Sequence, residues 1–469
     1  MGECDVGVFG LGVMGEGLAL NLESRGMRVA VYNRTAEKVV RFLKERAAGR
    51  AIEGYTDLRS FVSSLKRPRL ILLLVKAGPP VDQALEALAS AGLERGDIVA
   101  DCGNSHYRDS DRRMVEAASR GYRFLGVGVS GGVEGALRGP SMMFGGDFSA
   151  YVEAERLLGR AAAVYESSRC TGYFGDGGGG HFVKIVHNGI EYAILQAIAE
   201  SYDYLRRGLG MKAPEAADVF EEWSRGELRS FLVEAAARVL RHTDPESGRP
   251  LVEMIVDEAE QKGTGVWAVE ASAEFGAPAP TICEAVQHRL ISTRRDLRSR
   301  LSAPARPGGR GVGASLSPED VGSALLATVI LSYAQGAGLL DSGARRYRFR
   351  VSEAFRVWRA GCIIRSRIVE ETFESLFYGG GEAAVQILAE RQDQLEALLP
   401  RLAAFVSDAA RIGLPAPAAS SALSYYLALR SERLPANLIQ AIRDYFGAHG
   451  FRLEGREGVF HSDWGARAG

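Results

Sequence analysis

Hydrophobic positions change their rhythm once along this chain. In the first third they form short continuous runs: "VGVFG" after Asp5, "MRVAVY" (27–32), "LILLLV" (70–75), "DIVADCG" (97–103) and "YRFLGVGVS" (122–130). Segments of helix length separate these runs, so the pattern predicts strands alternating with helices around a parallel sheet. Past the glycine run "GYFGDGGGG" (172–180), the apolar positions take up the helical period and keep it almost to the end.

One helical stretch carries polar residues where apolar ones are expected. In "HFVKIVHNGIEY" (181–192), a turn of about 100° per residue gathers Lys184, His187, Asn188 and Glu191 into one narrow arc. Phe182, Val183, Ile185, Val186, Ile190 and Ile194 cover the remaining surface. A polar stripe is usually the solvated face of a helix. This apolar surround is too wide for a surface helix, and unpaired burial of Lys and Glu costs several kcal/mol. The stripe therefore predicts the lining of a cavity that binds something.

The N-terminal stretch supplies a second candidate. Between the first two runs, Gly10, Gly12 and Gly15 form G-x-G-x-x-G at a strand-to-helix turn. Such glycines allow a pyrophosphate to approach the N–H groups of a helix N-terminus, and the strands on either side make a dinucleotide site the expectation. After the second strand the chain reads Asn33, Arg34, Thr35, with Lys38 one turn on. An acid there would hold a ribose hydroxyl, whereas a guanidinium suits a 2′-phosphate, so the expected cofactor is NADP.

The fold class expected is an α/β N-terminal Rossmann-type dinucleotide-binding domain (1–177), a large all-α domain (178–434) and a short C-terminal tail (435–469). The helical part looks duplicated. "FEEWSRGEL" (220–228) and "FRVWRAGCI" (355–363) match at Phe, Trp and Gly, and Ser-Tyr recurs upstream in "SYDYLRRGL" and "SYAQGAGLL". Between the copies, "RSRLSAPARPGGRGVGASLSPED" (298–320) reads as a connector.

Composition narrows the function. A chain of 469 residues, 46% hydrophobic and 25% charged, is globular and long enough for more than one domain. Its net charge of −1 gives no bulk attraction to nucleic acid or membrane. Cys4, Cys102, Cys170, Cys283 and Cys362 lie far apart, and the histidines form no HExxH pair, so neither a disulfide framework nor a metal site is expected. There is no signal-peptide pattern and no uninterrupted apolar run of about 18 residues, which makes the cytoplasm the expected location.

Taken together, "GLGVMG", "NRT", "LLVKAG", "GNSHYRD", "GVSGG", "GHFVKIVHNGIEY", "QKGTG", "GCIIRS" and "LPANLIQAIRDYFGAH" resemble the 6-phosphogluconate dehydrogenase family of the pentose phosphate pathway, from one end of the chain to the other. The resemblance implies NADP-dependent, metal-free oxidative decarboxylation of 6-phosphogluconate to ribulose 5-phosphate by a homodimer. It further implies Lys184 as general base and Glu191 as general acid. Substrate contacts would come from Asn104, Ser130, Gly131, Gly132, His187, Asn188, Tyr192, Lys262, Thr264 and Arg289. Arg443 and His449 of the tail would complete the neighbouring subunit's phosphate pocket. Gly10, Leu11, Gly12, Val13, Met14, Gly15, Asn33, Arg34, Thr35, Val75, Lys76, Ala77 and Asn104 fall at cofactor positions. Departures from the family pattern are Cys102 before "GNS", Val133 after "SGG", and "SMMFGG" with Phe144 in place of a more usual proline-containing turn.

This chemistry accounts for the stripe. Oxidising a secondary alcohol needs a base for the hydroxyl proton, and CO₂ loss from the β-keto acid leaves an enediol that an acid must protonate. Two turns of one helix supply both groups. The nearest rival is a shorter hydroxyacid dehydrogenase with the same glycine loop and lysine, against which the second helical copy, "QKGTG" and the tail all count. A silent NADP-binding protein is the other rival, and the intact Lys184/Glu191 pair counts against it.

Overall fold

The computed structural model describes residues 3–261, 263–302 and 313–465, so Lys262 and the middle of the 298–320 connector lie outside the described residues. Two compact units are present, residues 1–422 and 423–469.

The strands are β1 (Val6–Phe9), β2 (Val29–Tyr32), β3 (Ile52–Tyr55), β4 (Leu70–Leu73), β5 (Ile98–Asp101), β6 (Arg123–Ser130), β7 (Ser141–Gly146), β8 (Val164–Tyr165), β9 (Ser168–Arg169) and β10 (Thr171–Tyr173). Eight of them form one sheet in the order β10-β7-β6-β5-β4-β1-β2-β3. All its pairs are parallel except β6 with β7. The predicted runs are buried on both faces because alternate residues feed opposite cores. Val6, Val8, Leu70 and Leu72 pack with the helix Val13–Ser24. Ile71, Leu73, Val99 and Phe124 pack on the other side with the helix Pro79–Ser90. Strand order reverses between β1 and β4, so the glycine loop after β1 opens at the topological switch point, where such sheets bind ligands. Gly15 is obligatory there, since a Cβ would stand 1.9 Å from the Gly10 carbonyl oxygen.

Ser141–Gly146, the "SMMFGG" stretch set against a turn, is a strand: it pairs antiparallel with β6, and Phe144 is fully buried in the core. Strands β3 and β10 carry too little apolar pattern to stand out, one reading Ile-Glu-Gly-Tyr and the other Thr-Gly-Tyr.

Two long helices, Gly179–Asp203 and Pro318–Tyr347, pack along each other in the helical part. The second is long and apolar enough to cross a membrane, yet 89% of its most apolar window is buried within the protein, as in a core helix. Each is followed by a matching pair, Ala213–Trp223 with Phe231–Arg241 and Val351–Trp358 with Arg367–Tyr378. The repeat is visible in the fold. Phe220 and Phe355 are both fully buried, and Ser230 and Ser366 each cap the second helix of their pair. The copies also meet there, Phe231 N–H donating to the Arg365 carbonyl (3.1 Å) and Arg367 N–H to the Arg229 carbonyl (2.9 Å). The stronger sequence signal for this repeat is "RSFLVE" (229–234) against "RSRIVE" (365–370).

The second unit carries the helix Ala436–Gly447 and is organised around Asp444. Although burial opposes it, donation from Trp464, His461, Ser462 and Gly450 holds this carboxyl well below the usual carboxylate range.

Ser366 accepts from the Val369 N–H at 3.2 Å and lies 3.1 Å from the buried Tyr333 hydroxyl, whereas among the described residues the Ser230 hydroxyl has its cap to the Val233 N–H alone. Replacing Ser366 by Ala is expected to cost about 1–2 kcal/mol, more than the same change at Ser230, as measured by denaturant unfolding.

Candidate active site

The polar stripe is buried. Lys184 and Asn188 are each 6% exposed, His187 is inaccessible, and Glu191 is partly exposed. What places them is a close approach of the helix Gly179–Asp203 to the end of the sheet. A Cβ on Gly128 of β6 would fall 2.4 Å from the Lys184 Cβ, so strand backbone and helix side chain share one space only because that residue is glycine. Ser130, ending β6, then reaches the stripe: its hydroxyl lies 3.0 Å from His187 Nε2. His187 Nδ1 lies 3.0 Å from Asn188 Oδ1 and 3.3 Å from Lys184 Nζ. Ser130, His187, Asn188 and Lys184 are thus one connected group.

Burial sets the protonation of this group. Desolvation brings the Lys184 ammonium down to about 8 against the opposing charge of Glu191, and raises the Glu191 carboxyl against the charges of Lys184 and Arg289. Burial, then the Lys184 charge, pushes His187 well below its ordinary value, so the ring stays neutral.

The far end of the stripe is built by two helices. Tyr192 lies beneath the Arg289 guanidinium, which stands 3.5 Å from the ring centroid and comes from the helix Pro280–Ser292. Thr264 opens the helix Thr264–Glu274 after a left-handed Gly263. Tyr192, Arg289 and Glu191 lie together at this end, the Arg289 charge acting on the Glu191 carboxyl; Lys262 lies outside the described residues.

At the carboxyl ends of the strands, Asn104 is exposed on a loop shaped by Asp101, whose carboxylate accepts from Gly103 N–H (3.0 Å) and the Ser105 hydroxyl (2.6 Å). Arg113, fully buried, donates to the Gly78 carbonyl at 2.9 Å and lies 3.6 Å from Asp101, tying the 75–78 loop to the Asn104 loop. Sequence reading passed over Asp101 and Arg113. The signal available was an acid ending an otherwise apolar strand and an Arg one helix later. Gly131 and Gly132 have φ of +111° and +62° and start the helix that leaves β6, with Val133 exposed beside them.

Asn33 Oδ1 accepts from Leu11 N–H (3.0 Å), fixing the glycine loop, and Gly12 faces open space at the N-terminus of the helix Val13–Ser24 with no side-chain cap. The acid in that first turn, Glu16, is bridged to Arg46 at 2.6 Å. Arg34, Thr35 and Lys76 are exposed, with Val75, Ala77 and Met14 beside them half-buried. Arg443 and His449 are exposed in the second unit. Cys102 is buried with its thiol pushed far up by desolvation, which describes packing rather than a reactive sulfur.

Two family models cover nearly the whole chain: the NAD binding domain of 6-phosphogluconate dehydrogenase matches residues 5–175, and the 6-phosphogluconate dehydrogenase C-terminal domain matches 180–464. The chain belongs to the 6-phosphogluconate dehydrogenase family. The NADP(+)-dependent, decarboxylating 6-phosphogluconate dehydrogenase of Bacillus subtilis is 42% identical over 99% of this chain and 100% of its own length. A decarboxylating relative from Schizosaccharomyces pombe is 44% identical over 96% of this chain and 92% of its own. The 6-phosphogluconate dehydrogenase of Plasmodium falciparum, whose structures include complexes with NADP+ and with 6-phosphogluconate, superposes with a TM-score of 0.91 at 36% identity, covering 98% of this chain and all of that one.

Because the lysine site in this family member rests on the bare backbone of β6, Gly128→Ala is expected to force helix and strand apart. The expected cost is about 1–3 kcal/mol, read as a lowered unfolding midpoint in denaturant.

Proposed function

We propose that this protein oxidises 6-phospho-D-gluconate with NADP and decarboxylates the product to D-ribulose 5-phosphate and CO₂, the step that yields NADPH in the pentose phosphate pathway. The observation that carries the proposal is a desolvated lysine and a desolvated carboxyl on one helix face, shifted in opposite directions. Bound NADP supplies the hydride acceptor. Lys184, as neutral amine, takes the substrate hydroxyl proton. Its ammonium then donates a hydrogen bond to the new carbonyl oxygen and stabilises the negative charge that develops there as CO₂ leaves. Glu191, as neutral acid, protonates the enediol on carbon.

Neutral Lys with protonated Glu carries as many protons as the ion pair, so the two groups titrate as a unit and substrate selects the productive microstate. Ser130, His187 and Asn188 hold the substrate beside Lys184, with Gly131 and Gly132 approaching it by backbone. Arg289, Tyr192, Thr264 and Lys262 take its far end and phosphate. Asn104 stands between substrate and cofactor. Arg34 and Asn33, with Thr35, favour the 2′-phosphate.

A homodimer completes this assignment, with Arg443 and His449 of the 435–469 tail entering the neighbouring subunit's pocket. Supporting it is the helix Ala436–Gly447, on which Leu438, Ile439, Ile442 and Phe446 are half or more exposed, an apolar face that suits a partner. The cytoplasm suits a chain with five free cysteines, and 1–177 and 178–434 would serve as cofactor and substrate domains.

Three outcomes test the proposal. EDTA-treated protein mixed with 6-phosphogluconate and NADP is expected to release NADPH and CO₂ in equal amounts, and NADPH without CO₂ would sink decarboxylation. Lys184→Met is expected to abolish oxidation, whereas Glu191→Gln should oxidise slowly and mishandle the enediol.

The pH dependence follows from the shared proton. The fully protonated pair has no base and the fully deprotonated pair no acid, so kcat/KM should be bell-shaped, falling on the alkaline side near the Lys184 value of about 8. In Glu191→Gln only the neutral amine is required. Residual oxidation in that variant should therefore rise with pH where the unsubstituted protein's rate falls.

A further inference from the structure

Two charges in the helical architecture are wrong for the helices that carry them. Arg108 occupies the first turn of Tyr107–Ser119, at the positive end of that helix, and Glu274 is the last residue of Thr264–Glu274, at the negative end of its own. Neither charge stabilises its own helix, yet the two meet, Arg108 Nη2 standing 2.7 Å from Glu274 Oε2. Glu274 also accepts a hydrogen bond from the buried Tyr107 hydroxyl and lies 3.4 Å from Arg346 of the helix Pro318–Tyr347. Arg346 in turn donates to Asp111 at 2.8 Å, and Asp111 accepts from Gly178 N–H at 2.7 Å, just before the stripe helix begins.

The two misplaced charges lie at informative ends. Arg108 follows the loop that presents Asn104, and Glu274 closes the helix that Gly263 and Thr264 open. Along that helix His106 stacks edge-on to Trp267 with centroids 5.3 Å apart, so the contact runs toward the Thr264 end. A local rule broken twice and compensated across two elements marks a geometric requirement rather than a gain in helix stability.

We propose that Glu274, gripped by Arg108, Tyr107 and Arg346, is a positioning residue that sets where the Gly263–Thr264 end of its helix stands relative to Asn104, and hence how tightly 6-phosphogluconate is held. It touches neither substrate nor cofactor and acts through the helix. The inference rests on the proposed reaction for its kinetic readout, and on the fold alone for its second readout.

The test compares Glu274→Ala with Glu274→Gln in the full chain. Losing the grip at one end of a rigid helix is expected to raise KM for 6-phosphogluconate about tenfold or more in Glu274→Ala and to leave KM for NADP within about twofold. Glu274→Gln should recover most of that loss, because its amide oxygen still accepts from Tyr107 and Arg108. In Glu274→Ala, the backbone amides of residues 267–270, the first to donate within this helix (Trp267 N–H to the Gly263 carbonyl, 3.1 Å), should exchange with solvent about tenfold faster while those of the 10–15 loop are unchanged. If Glu274→Ala does not fold, Arg108→Gln makes the same test from the other helix.

Both KM values moving together, neither moving, or unchanged exchange at 267–270 would overturn the inference. An unsubstituted protein that fails to turn over 6-phosphogluconate would instead overturn the functional proposal, and the exchange measurement would still decide the positioning role.

Discussion

The site depends on one steric constraint: a helix seated directly on strand backbone. A side chain at Gly128 would occupy the volume of the Lys184 Cβ, and its absence lets the helix Gly179–Asp203 lie against β6 with its first three turns wholly buried. Burial of the amine follows from that contact, and the lowered proton affinity of the amine follows from burial. The same contact brings Ser130, the last residue of the strand, within hydrogen-bonding distance of His187. Strand, helix and protonation state are therefore consequences of one glycine-lined surface.

Electrostatics divides the stripe into two ends whose titratable groups are shifted in opposite directions. At the sheet end, Lys184 has neutral neighbours in Ser130, His187 and Asn188, so little besides Glu191 sustains its charge. At the other end Glu191 faces the Arg289 guanidinium, which partly offsets the desolvation that raises its carboxyl. A dianionic phosphate bound at Arg289 would cancel that offset and leave Glu191 more readily protonated. In the proposed reaction, substrate charge at the distal end and proton availability at the reacting end would then be linked through a single side chain.

The stripe was legible because a period of 3.6 residues is a property of sequence, and because Lys and Glu amid a wide apolar surround contradict a surface helix. The glycine loop was legible for a similar reason, since backbone that must approach a phosphate or another chain leaves glycine at fixed spacing. Strand β7 was not, because "SMMFGG" has no alternation and is recognisable only from its antiparallel neighbour β6. Asp101 and Arg113 escaped because their importance lies in joining two loops, and nothing local in an acid at a strand end announces a partner twelve residues on. The helical repeat was read from Phe, Trp and Gly, whereas the better marker, "RSFLVE" against "RSRIVE", sits where the two copies exchange backbone hydrogen bonds. Residues that meet across a pseudo-symmetric contact are constrained twice, once as helix caps and once as each other's neighbours.

Decarboxylation of a β-keto acid needs a positive charge near the carbonyl oxygen as the carboxylate departs, and many enzymes meet that need with a metal ion. In the proposed reaction a lysine that has just accepted the hydroxyl proton would meet the same need without one, because oxidation itself would generate its charge beside the new carbonyl. This economy works only if the amine begins neutral, which a solvated lysine near 10.5 would not be at ordinary pH. In the proposed reaction, the desolvation imposed by the close helix–strand contact is what would let one residue act first as base and then as cation, tying the chemistry of the stripe to a glycine two residues from the end of a strand.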